Sequence, residues 1–308
     1  MIQNPQKIAT PFTEKLGIRY PIVVAPMFLI SNPDMLVAAG EAGAIGVMPS
    51  LNLRTAELFE AALNDIQKRT SAPFGVNLIL LQNPRLQEDL DLIIKYKVPL
   101  VVTSLGNPAP IIEKVHAYGG LVFCDVVNLQ HAKKVKDVGA DGLVTVSFGA
   151  GGHAGKVAAN VLVPWLKAET GLPVLASGGI STGSQIHAAL ALGADAAYMG
   201  TRFIATCEAP AEAGYKQMIL NAGPEDIVLS ATVTGHDCNF LKESLARYSS
   251  GEVGLKRWKD VWSAGQGVGL IHDIPTMEVL IQRLIDEFEE SVLKILAISH
   301  KNPSSQRV

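Results

Sequence analysis

The chain has 308 residues, 48% hydrophobic and 18% charged, which suits either two small domains or one large α/β barrel with an appendage. Its formal net charge of −3 argues against nucleic acid or an anionic membrane as the main partner. The first 15 residues are polar and interrupted by prolines, and no apolar run reaches the roughly 20 residues that span a bilayer, so we expect neither a signal peptide nor a membrane anchor.

Eight short apolar segments recur over the first 200 residues, and a segment of helical length follows each of the first seven. The predicted strands are residues 21–27, 44–48, 74–80, 100–104, 121–127, 142–146, 174–176 and 196–199. The predicted helices are residues 32–40, 55–68, 87–96, 109–117, 130–138, 158–169 and 184–192. Strands without polar alternation are typical of parallel strands buried on both faces. The alternation predicts an α/β protein built on a closed (β/α)₈ TIM barrel.

A doubly wound open sheet is the alternative to the barrel. Such sheets usually carry a GxGxxG sequence after the first strand. Here Ala25-Pro26-Met27-Phe28 stands at that place and contains no glycine. This difference favours the barrel.

The alternation stops after residue 203. We predict a helix at 214–221, an irregular segment at 227–235, a helix at 239–248 and a long amphipathic helix at 277–297. We therefore divide the chain into a barrel over residues 1–235 and a helical C-terminal extension over 236–308, which packs on the barrel as a lid or subdomain.

A turn of small residues follows the sixth predicted strand, over residues 147–155 (SFGAGGHAG). Its four glycines let backbone N–H groups approach a ligand closely, and such a turn can bind an anion. His153 is its only side chain able to exchange a proton near neutral pH. The other interpretation is a glycine-rich loop with a solvated histidine.

The remaining candidate residues lie at the predicted carboxyl ends of strands, where barrel active sites form. They are Ala25, Pro26, Met27, Asn77, Asp125, Ser147, Ser177, Gly178, Gly179, Gly200 and Thr201. The glycine turns after the seventh and eighth strands suit a phosphate group. Asn77 can both donate and accept, and residues 25–27 offer backbone polar groups beside apolar surface, so these ends suit a flat ring with polar edges, as in an isoalloxazine.

No metal site is expected from the sequence, because no cluster of histidine and carboxylate residues falls on adjacent strand ends. The three cysteines, Cys124, Cys207 and Cys238, are widely spaced and suit reduced thiols in a cytoplasmic protein. Cys124 lies inside a predicted strand and is expected to be buried.

Several of these motifs together resemble the nitronate monooxygenase family, formerly called 2-nitropropane dioxygenases. The resemblance covers about residues 15–270, and the barrel is shared with flavin enoyl-acyl-carrier-protein reductases and some NADH:quinone reductases. The matching motifs are Ala25-Pro26-Met27, Phe74-Gly75-Val76-Asn77, Gly151-Gly152-His153, Ala176-Ser177-Gly178-Gly179-Ile180 and Met199-Gly200-Thr201-Arg202-Phe203.

The resemblance implies a bound FMN and a role for each motif. It implies that the Gly178–Gly179 and Gly200–Thr201 turns, next to Ser177, hold the FMN phosphate. It places Asn77, residues 25–27 and the turn of Ala150, Gly151 and Gly152 against the flavin, with His153 facing the substrate. The implied reaction is oxidation of an alkyl nitronate by O₂ to a carbonyl compound and nitrite. His153 would remove the α-proton of a neutral nitroalkane or bind the nitro oxygens of a nitronate.

Two positions carry open interpretations. Similar enzymes often have a lysine where this chain has Asp125, and an aspartate there can accept hydrogen bonds from ribityl hydroxyl groups. Alternatively, Asp125 turns away or caps the helix that follows Asn128. His236 falls in a loop, where we expect a structural role; the alternative is that it lines the substrate mouth.

Two other functions stay open beside nitronate oxidation. One is an NAD(P)H-dependent flavin reductase of enoyl thioesters or quinones, in which His153 would polarise a carbonyl group. The other is a flavin-free barrel that binds a phosphorylated metabolite.

The expected partners are a small-molecule substrate and O₂, without nucleic acid or membrane. The oligomeric state is left open, with a homodimer as one possibility.

Overall fold

The closed parallel sheet predicted from the sequence is present in the structure, a computed structural model that describes residues 7–250 and 259–299. The strands are β1 (Ile22–Val24), β2 (Ile45–Pro49), β3 (Gly75–Ile79), β4 (Leu100–Ser104), β5 (Leu121–Val126), β6 (Gly142–Val146), β7 (Gly152–His153), β8 (Val174–Ser177), β9 (Ala196–Met199), β10 (Ile227–Ser230) and β11 (Cys238–Leu241). The barrel runs in the order β1-β2-β3-β4-β5-β6-β8-β9, and a small antiparallel sheet has the order β10-β11-β7.

Helices follow the barrel strands, and several begin at a side chain that accepts a hydrogen bond from the first turn. Asn32, Thr55, Asn128 and Thr182 are such caps. The helices are α1 (Pro11–Leu16), α2 (Pro33–Glu41), α3 (Ala56–Arg69), α4 (Leu86–Lys95), α5 (Ala109–His116), α6 (Leu129–Asp137), α7 (Ala159–Thr170), α8 (Gly183–Ala191), α9 (Thr201–Ile204), α10 (Ala213–Asn221), α11 (Lys242–Ser249) and α12 (Met277–Ser299). Short 3₁₀ turns occupy Ser50–Asn52, Pro224–Asp226 and Gln266–Leu270.

Helix α1 packs its buried Phe12 onto the apolar interior of the barrel. The Phe12 ring meets the Phe123 ring edge to face, with centroids 5.5 Å apart. This helix was not predicted, although the sequence contains a helix-start pattern: Thr10 caps the helix and Pro11 stands at its first position.

Helix α12 packs against α8 and α2 and so takes the place of the eighth barrel helix. Helix α9, which follows the eighth barrel strand, has only four residues and cannot cover that side. The buried face of α12 includes Leu280, Ile281 and Leu284. The expected lid is therefore wrong for this helix, which lies in the ring around the barrel. The domain boundary at residue 235 stays a prediction.

The segment after α10 differs from its prediction. Residues 227–230 form β10 where we expected irregular chain, and β11 precedes α11 where we expected helix. Strand β11 pairs with both β10 and β7, so it joins this segment to the turn after β6. Residues 251–258 and 300–308 of the predicted extension lie outside the described residues. No helix within the described ranges is long and apolar enough to cross a bilayer.

Replacing Leu284 by alanine should show that α12 is part of the barrel. The side chain is 1% exposed, so Leu284→Ala should lower the free energy of unfolding by about 2–5 kcal/mol. Val279→Ala is the matched control on the same helix, because Val279 is 52% exposed, and it should change stability by less than about 0.5 kcal/mol. Urea denaturation followed by circular dichroism measures both, and equal effects would contradict the packing described here.

Candidate active site

The alternation of side chains along β5 places Asp125 inside the barrel mouth. Leu121 and Phe123 belong to the barrel interior, whereas Val122 and Cys124 pack outward beneath the helices. Because successive strand residues point to opposite faces, Asp125 points inward. The same alternation turns Asn77 of β3 and Ser104 of β4 inward.

Asn77, Ser104 and Asp125 form a hydrogen-bonded chain across three neighbouring strands. The Nδ2 of Asn77 donates to the Val102 carbonyl oxygen at 3.1 Å and to Ser104 Oγ at 2.8 Å. Ser104 Oγ in turn donates to Asp125 Oδ2 at 2.5 Å. Since both amide protons of Asn77 are used in this way, its Oδ1 is the atom left to accept from a ligand. Sequence reasoning missed Ser104, which looked like an ordinary strand residue.

Asp125 is a buried carboxyl group with an unsatisfied oxygen. Its Oδ1 is buried and has no hydrogen-bond partner in the structure. Burial raises the pKa of Asp125 to about 6, and the Ser104 hydrogen bond partly opposes that rise. The proposal that Asp125 caps the following helix is wrong, because the Asn128 side chain accepts the hydrogen bond from His131 N–H at 2.8 Å.

Glycine turns after β6 and β8 pack backbone against backbone. Gly178 has φ +116°, and a Cβ there would overlap Ser147 Oγ and lie 2.9 Å from the Ala150 nitrogen. A Cβ on Gly151 would lie 2.7 Å from the nitrogen of Gly265, in the segment before Gln266–Leu270. These glycines are required for close approach of three chain segments.

Side chains from outside the barrel strands hold this packing in place. Asn239 of β11 donates to the carbonyl oxygens of Phe148 and Ala150 at 2.8 and 2.7 Å. Gly265 N–H donates to Thr201 Oγ1 at 2.9 Å, which joins the turn after β9 to the same segment. Asn239 was not among the predicted site residues, because nothing in the neighbouring sequence marks it as a residue that binds a distant turn.

Gly179 and Gly200 face more open space than Gly178. Gly179 has φ +73°, and a Cβ built on it meets no atom within 4 Å. A Cβ on Gly200 would lie 3.6 Å from Met27 Cγ and 3.8 Å from Ala25 Cβ, at ordinary contact distance. The structure thus brings the first and eighth strand ends together.

The amino terminus of α8 is closed to an anion by the protein's own side chains. Gly183 N–H donates to Glu287 Oε2 of α12 at 2.7 Å. The N–H groups of Ser181 and Thr182 donate to Gln185 Oε1 at 2.8 and 3.2 Å. The N–H groups of Ser181, Thr182 and Gly183 are therefore not free to bind an anion.

Most of the backbone polar groups expected at the end of the first strand form hydrogen bonds within the protein. Met27 N–H donates to Ser31 Oγ at 2.8 Å, and that hydroxyl donates to the Ala25 carbonyl at 3.3 Å. Asn52 Nδ2 donates to the Met27 carbonyl at 3.0 Å. The polar groups that the sequence suggested for this strand end are therefore mostly unavailable on Ala25 and Met27, and Pro26 has no N–H. That residues 25–27 contact a ligand stays a prediction.

His153 lies on β7, opposite Cys238 of β11, and is exposed at the mouth. The ring of His236 lies close to it, with centroids 6.0 Å apart. Burial of part of the ring and the neighbouring His236 together lower the pKa of His153. His236 thus lies beside the candidate catalytic residue, and its role stays a prediction. A neutral imidazole at His153 can accept a proton or donate a hydrogen bond.

Five large apolar side chains lie on the turns that follow the barrel strands β1, β3, β4 and β6. Each is 39–59% exposed: Phe28, Leu29, Leu81, Leu105 and Phe148. Leu29 and Leu105 have φ of +64° and +55°, which is rare for leucine and costs energy. These five side chains give the turns at the mouth an apolar surface, although other exposed apolar residues lie elsewhere, as on the last turns of α12.

Neither a reactive cysteine nor a metal-binding cluster is found at the site within the described residues. Burial raises the pKa of the Cys124 thiol to about 12, so that thiol is unreactive at neutral pH. In the part of the chain that the structure describes, no three histidine, cysteine or carboxylate side chains come together in a way that could hold a metal ion.

The closed parallel sheet and its surrounding helices define a TIM barrel, and comparison identifies its family. A family model described as nitronate monooxygenase matches residues 9–252. The chain belongs to the nitronate monooxygenase family.

Individual relatives carry different activities in their names. A (3aS,4S,5R,7aS)-5-hydroxy-7a-methyl-1-oxo-octahydro-1H-indene-4-carboxyl-CoA dehydrogenase from Rhodococcus jostii is 33% identical over 228 residues. That match covers 74% of this chain but 64% of the relative, so the chain spans less than two thirds of its length. A nitronate monooxygenase from Pseudomonas aeruginosa is 26% identical, covering 90% of this chain and 98% of the relative.

A solved structure resembles the whole molecule. FabK from Thermotoga maritima superposes with a TM-score of 0.86 at 30% identity, covering 95% of this chain and 100% of that chain. This agreement extends to the chain beyond residue 252, where the family model ends.

The two histidines provide a test of the site's electrostatics. The pKa of His153, measured by NMR titration, should lie below the ordinary histidine value of about 6.5. His236→Gln should raise it, because the variant removes a neighbouring group whose positive form opposes protonation of His153. An unchanged His153 titration in that variant would show that the two rings do not interact.

Proposed function

We propose that this chain binds FMN at the carboxyl end of its barrel and uses it in an oxidoreductase reaction. Three features of the site support FMN binding: a glycine turn that leaves open space at Gly179, a buried Asp125 Oδ1 without a partner, and a free acceptor on Asn77. When bound, FMN supplies the electron and hydride transfer that side chains cannot perform.

Each part of the mouth has a role in holding the cofactor. The backbone at Gly178–Gly179 and Gly200–Thr201 would bind the phosphate, because the amino terminus of α8 is already occupied by Glu287. Asn77 Oδ1 would accept from an N–H group at the ring edge. The apolar surface of Ala25 and Met27 would pack against the ring. FMN is favoured over FAD because the chain has no glycine fingerprint after its first strand for an adenosine half.

Gly179→Asp should weaken FMN binding without unfolding the protein. The new carboxylate would enter open space beside the proposed phosphate, and repulsion of about 1–4 kcal/mol lowers affinity at least about fivefold. The matched control is Gly171→Asp at the end of α7, where φ is +70° and the space is also open. Flavin fluorescence titration of the apoproteins measures both, and equal affinities in the two variants would show that the phosphate lies elsewhere.

We propose an enoyl thioester as the substrate, with NAD(P)H as the electron donor. The carrying observation is the apolar rim of Phe28, Leu29, Leu81, Leu105 and Phe148. A long acyl chain would cover these side chains and gain roughly 25 cal/mol for each Å² of apolar surface removed from water. A small nitroalkane would leave most of the rim exposed. The CoA thioester in the name of the Rhodococcus relative also supports a thioester substrate.

His153 would act on the carbonyl group of that thioester. Its lowered pKa keeps the imidazole neutral at neutral pH, so one ring nitrogen carries a proton to donate. A hydrogen bond to the carbonyl oxygen draws electron density away from the double bond. Residue His153 lies on β7, so this donor is positioned by the small antiparallel sheet and not by a barrel strand.

Nitronate oxidation by O₂ is the second candidate function. The family model and the Pseudomonas relative support it. In that reaction a neutral His153 would take the α-proton of a nitroalkane or bind the nitro oxygens of a nitronate. General-base catalysis of this kind contributes about 10²–10⁴-fold to the rate.

Anaerobic mixing separates the two reactions. We expect NADH or NADPH to bleach the flavin absorbance rapidly and a nitronate to leave it unchanged. With enoyl thioesters, kcat/KM should rise with acyl length, and Leu105→Ser should lower it for long chains while leaving short chains unaffected. Bleaching by the nitronate alone, or no effect of acyl length, would contradict the thioester proposal.

His153→Asn tests the role of the histidine in either reaction. Asparagine keeps a hydrogen-bond donor but cannot accept a proton at neutral pH. If His153 acts as donor, the variant should retain much of its thioester activity. If it acts as base, activity on a neutral nitroalkane should fall far more than activity on the preformed nitronate. Flavin content must be measured in parallel, since loss of FMN would imitate a catalytic defect.

A further inference from the structure

The hydrogen bonds around Asp125 have a fixed direction. Both amide protons of Asn77 are donated, one of them to Ser104 Oγ, so that oxygen acts as an acceptor from Asn77. The Ser104 hydroxyl proton then points to Asp125 Oδ2. Because Oδ2 accepts, any proton held by the Asp125 carboxyl group is on Oδ1. That atom is buried and lacks a partner within the protein.

The surroundings of Asp125 offer little to stabilise a negative charge. Within residues 7–250 and 259–299, Ser104 is the donor that the structure shows on this carboxylate, and no salt bridge involves it. The titratable groups nearby are Tyr198 of β9 and Cys124 of β5, and burial raises the pKa of both far above neutrality. The negative charge of Asp125 also contributes to the raised pKa of Tyr198.

We propose that Asp125 binds the cofactor as a neutral carboxylic acid whose Oδ1–H donates to an acceptor atom of the flavin, so that flavin binding takes up one proton. This inference rests on the proposed binding of FMN. A flavin carries ring nitrogens, carbonyl oxygens and ribityl oxygens that accept hydrogen bonds. A neutral acid can donate to them where an anion cannot.

The alternative is an ionised Asp125 that accepts from ribityl hydroxyl groups. A cofactor that covers the mouth would remove the remaining water from this carboxylate and leave a buried charge without a cationic partner, which is costly. Covering the mouth therefore favours the protonated form. Since the pKa of Asp125 is already raised by burial in the protein alone, the proton is taken up near neutral pH.

The two alternatives predict opposite effects of pH on flavin binding. The apoprotein is titrated with riboflavin, which lacks the phosphate and therefore its ionisation, and tryptophan or flavin fluorescence reports the dissociation constant. If the acid donates, binding weakens as pH rises above the pKa of the free protein, by up to about 50-fold between pH 6 and pH 8. If the anion accepts, binding weakens as pH falls. The titration is repeated in His153→Gln, which removes the histidine ionisation from the same range.

Two variants and one measurement on the unaltered protein complete the test. Asp125→Asn, which keeps a donor and cannot ionise, should bind riboflavin with an affinity independent of pH in this range. Ser104→Ala removes the bond that lowers the pKa of Asp125 and should move the loss of affinity to higher pH. Isothermal calorimetry of the unaltered apoprotein in buffers of different ionisation enthalpy should show net proton uptake at pH 7.

Any of the following results would overturn the inference that Asp125 donates as a neutral acid. Flat or inverted pH dependence of riboflavin binding, or no proton uptake by calorimetry, would show that Asp125 does not donate. FMN binding would stand in that case, which separates failure of this inference from failure of the proposed function. Absence of binding of riboflavin and FMN at every pH would overturn both.

Discussion

Backbone-to-backbone packing at the barrel mouth is the constraint on which the site depends. Gly178 lies against Ser147 and Ala150, and Gly151 lies against Gly265, at distances that leave no room for a Cβ. The turns after β6 and β8 and the segment before Gln266–Leu270 therefore form one unit. The hydrogen bonds from Asn239 and to Thr201 hold that unit to the small sheet and to the turn after β9. A substitution that separates these turns would disturb the mouth as a whole.

The residues at the mouth are carried by two different sheets. Asn77, Ser104 and Asp125 stand on barrel strands, where the register of β3, β4 and β5 fixes them. His153 and the ring of His236 stand instead on the antiparallel sheet and its connecting loop. In the proposed function, the rigid barrel holds the cofactor while the second sheet positions the residue that acts on the substrate.

The barrel could be predicted from the sequence because eight uniformly apolar segments alternate with helical ones, and strand ends identify the mouth. The hydrogen-bonded chain through Ser104 could not, since only the pairing of β4 with β3 and β5 brings that hydroxyl between Asn77 and Asp125. The position of α12 in the ring of helices could not be predicted either. It depends on α9, which has only four residues and cannot cover that side of the barrel. His236 lies 83 residues from His153 in sequence, and only the pairing of β11 with β7 brings them together.

The central claim is that the mouth holds FMN, and the cofactor of the purified protein tests it most directly. The protein is denatured by heat, and the released material is separated by chromatography against FMN, FAD and riboflavin standards. We expect FMN as the flavin, approaching one molecule per chain after reconstitution, and loss of most of it in Gly179→Asp. Recovery of FAD, or a colourless protein that fails to take up FMN, would show that the mouth does not hold FMN.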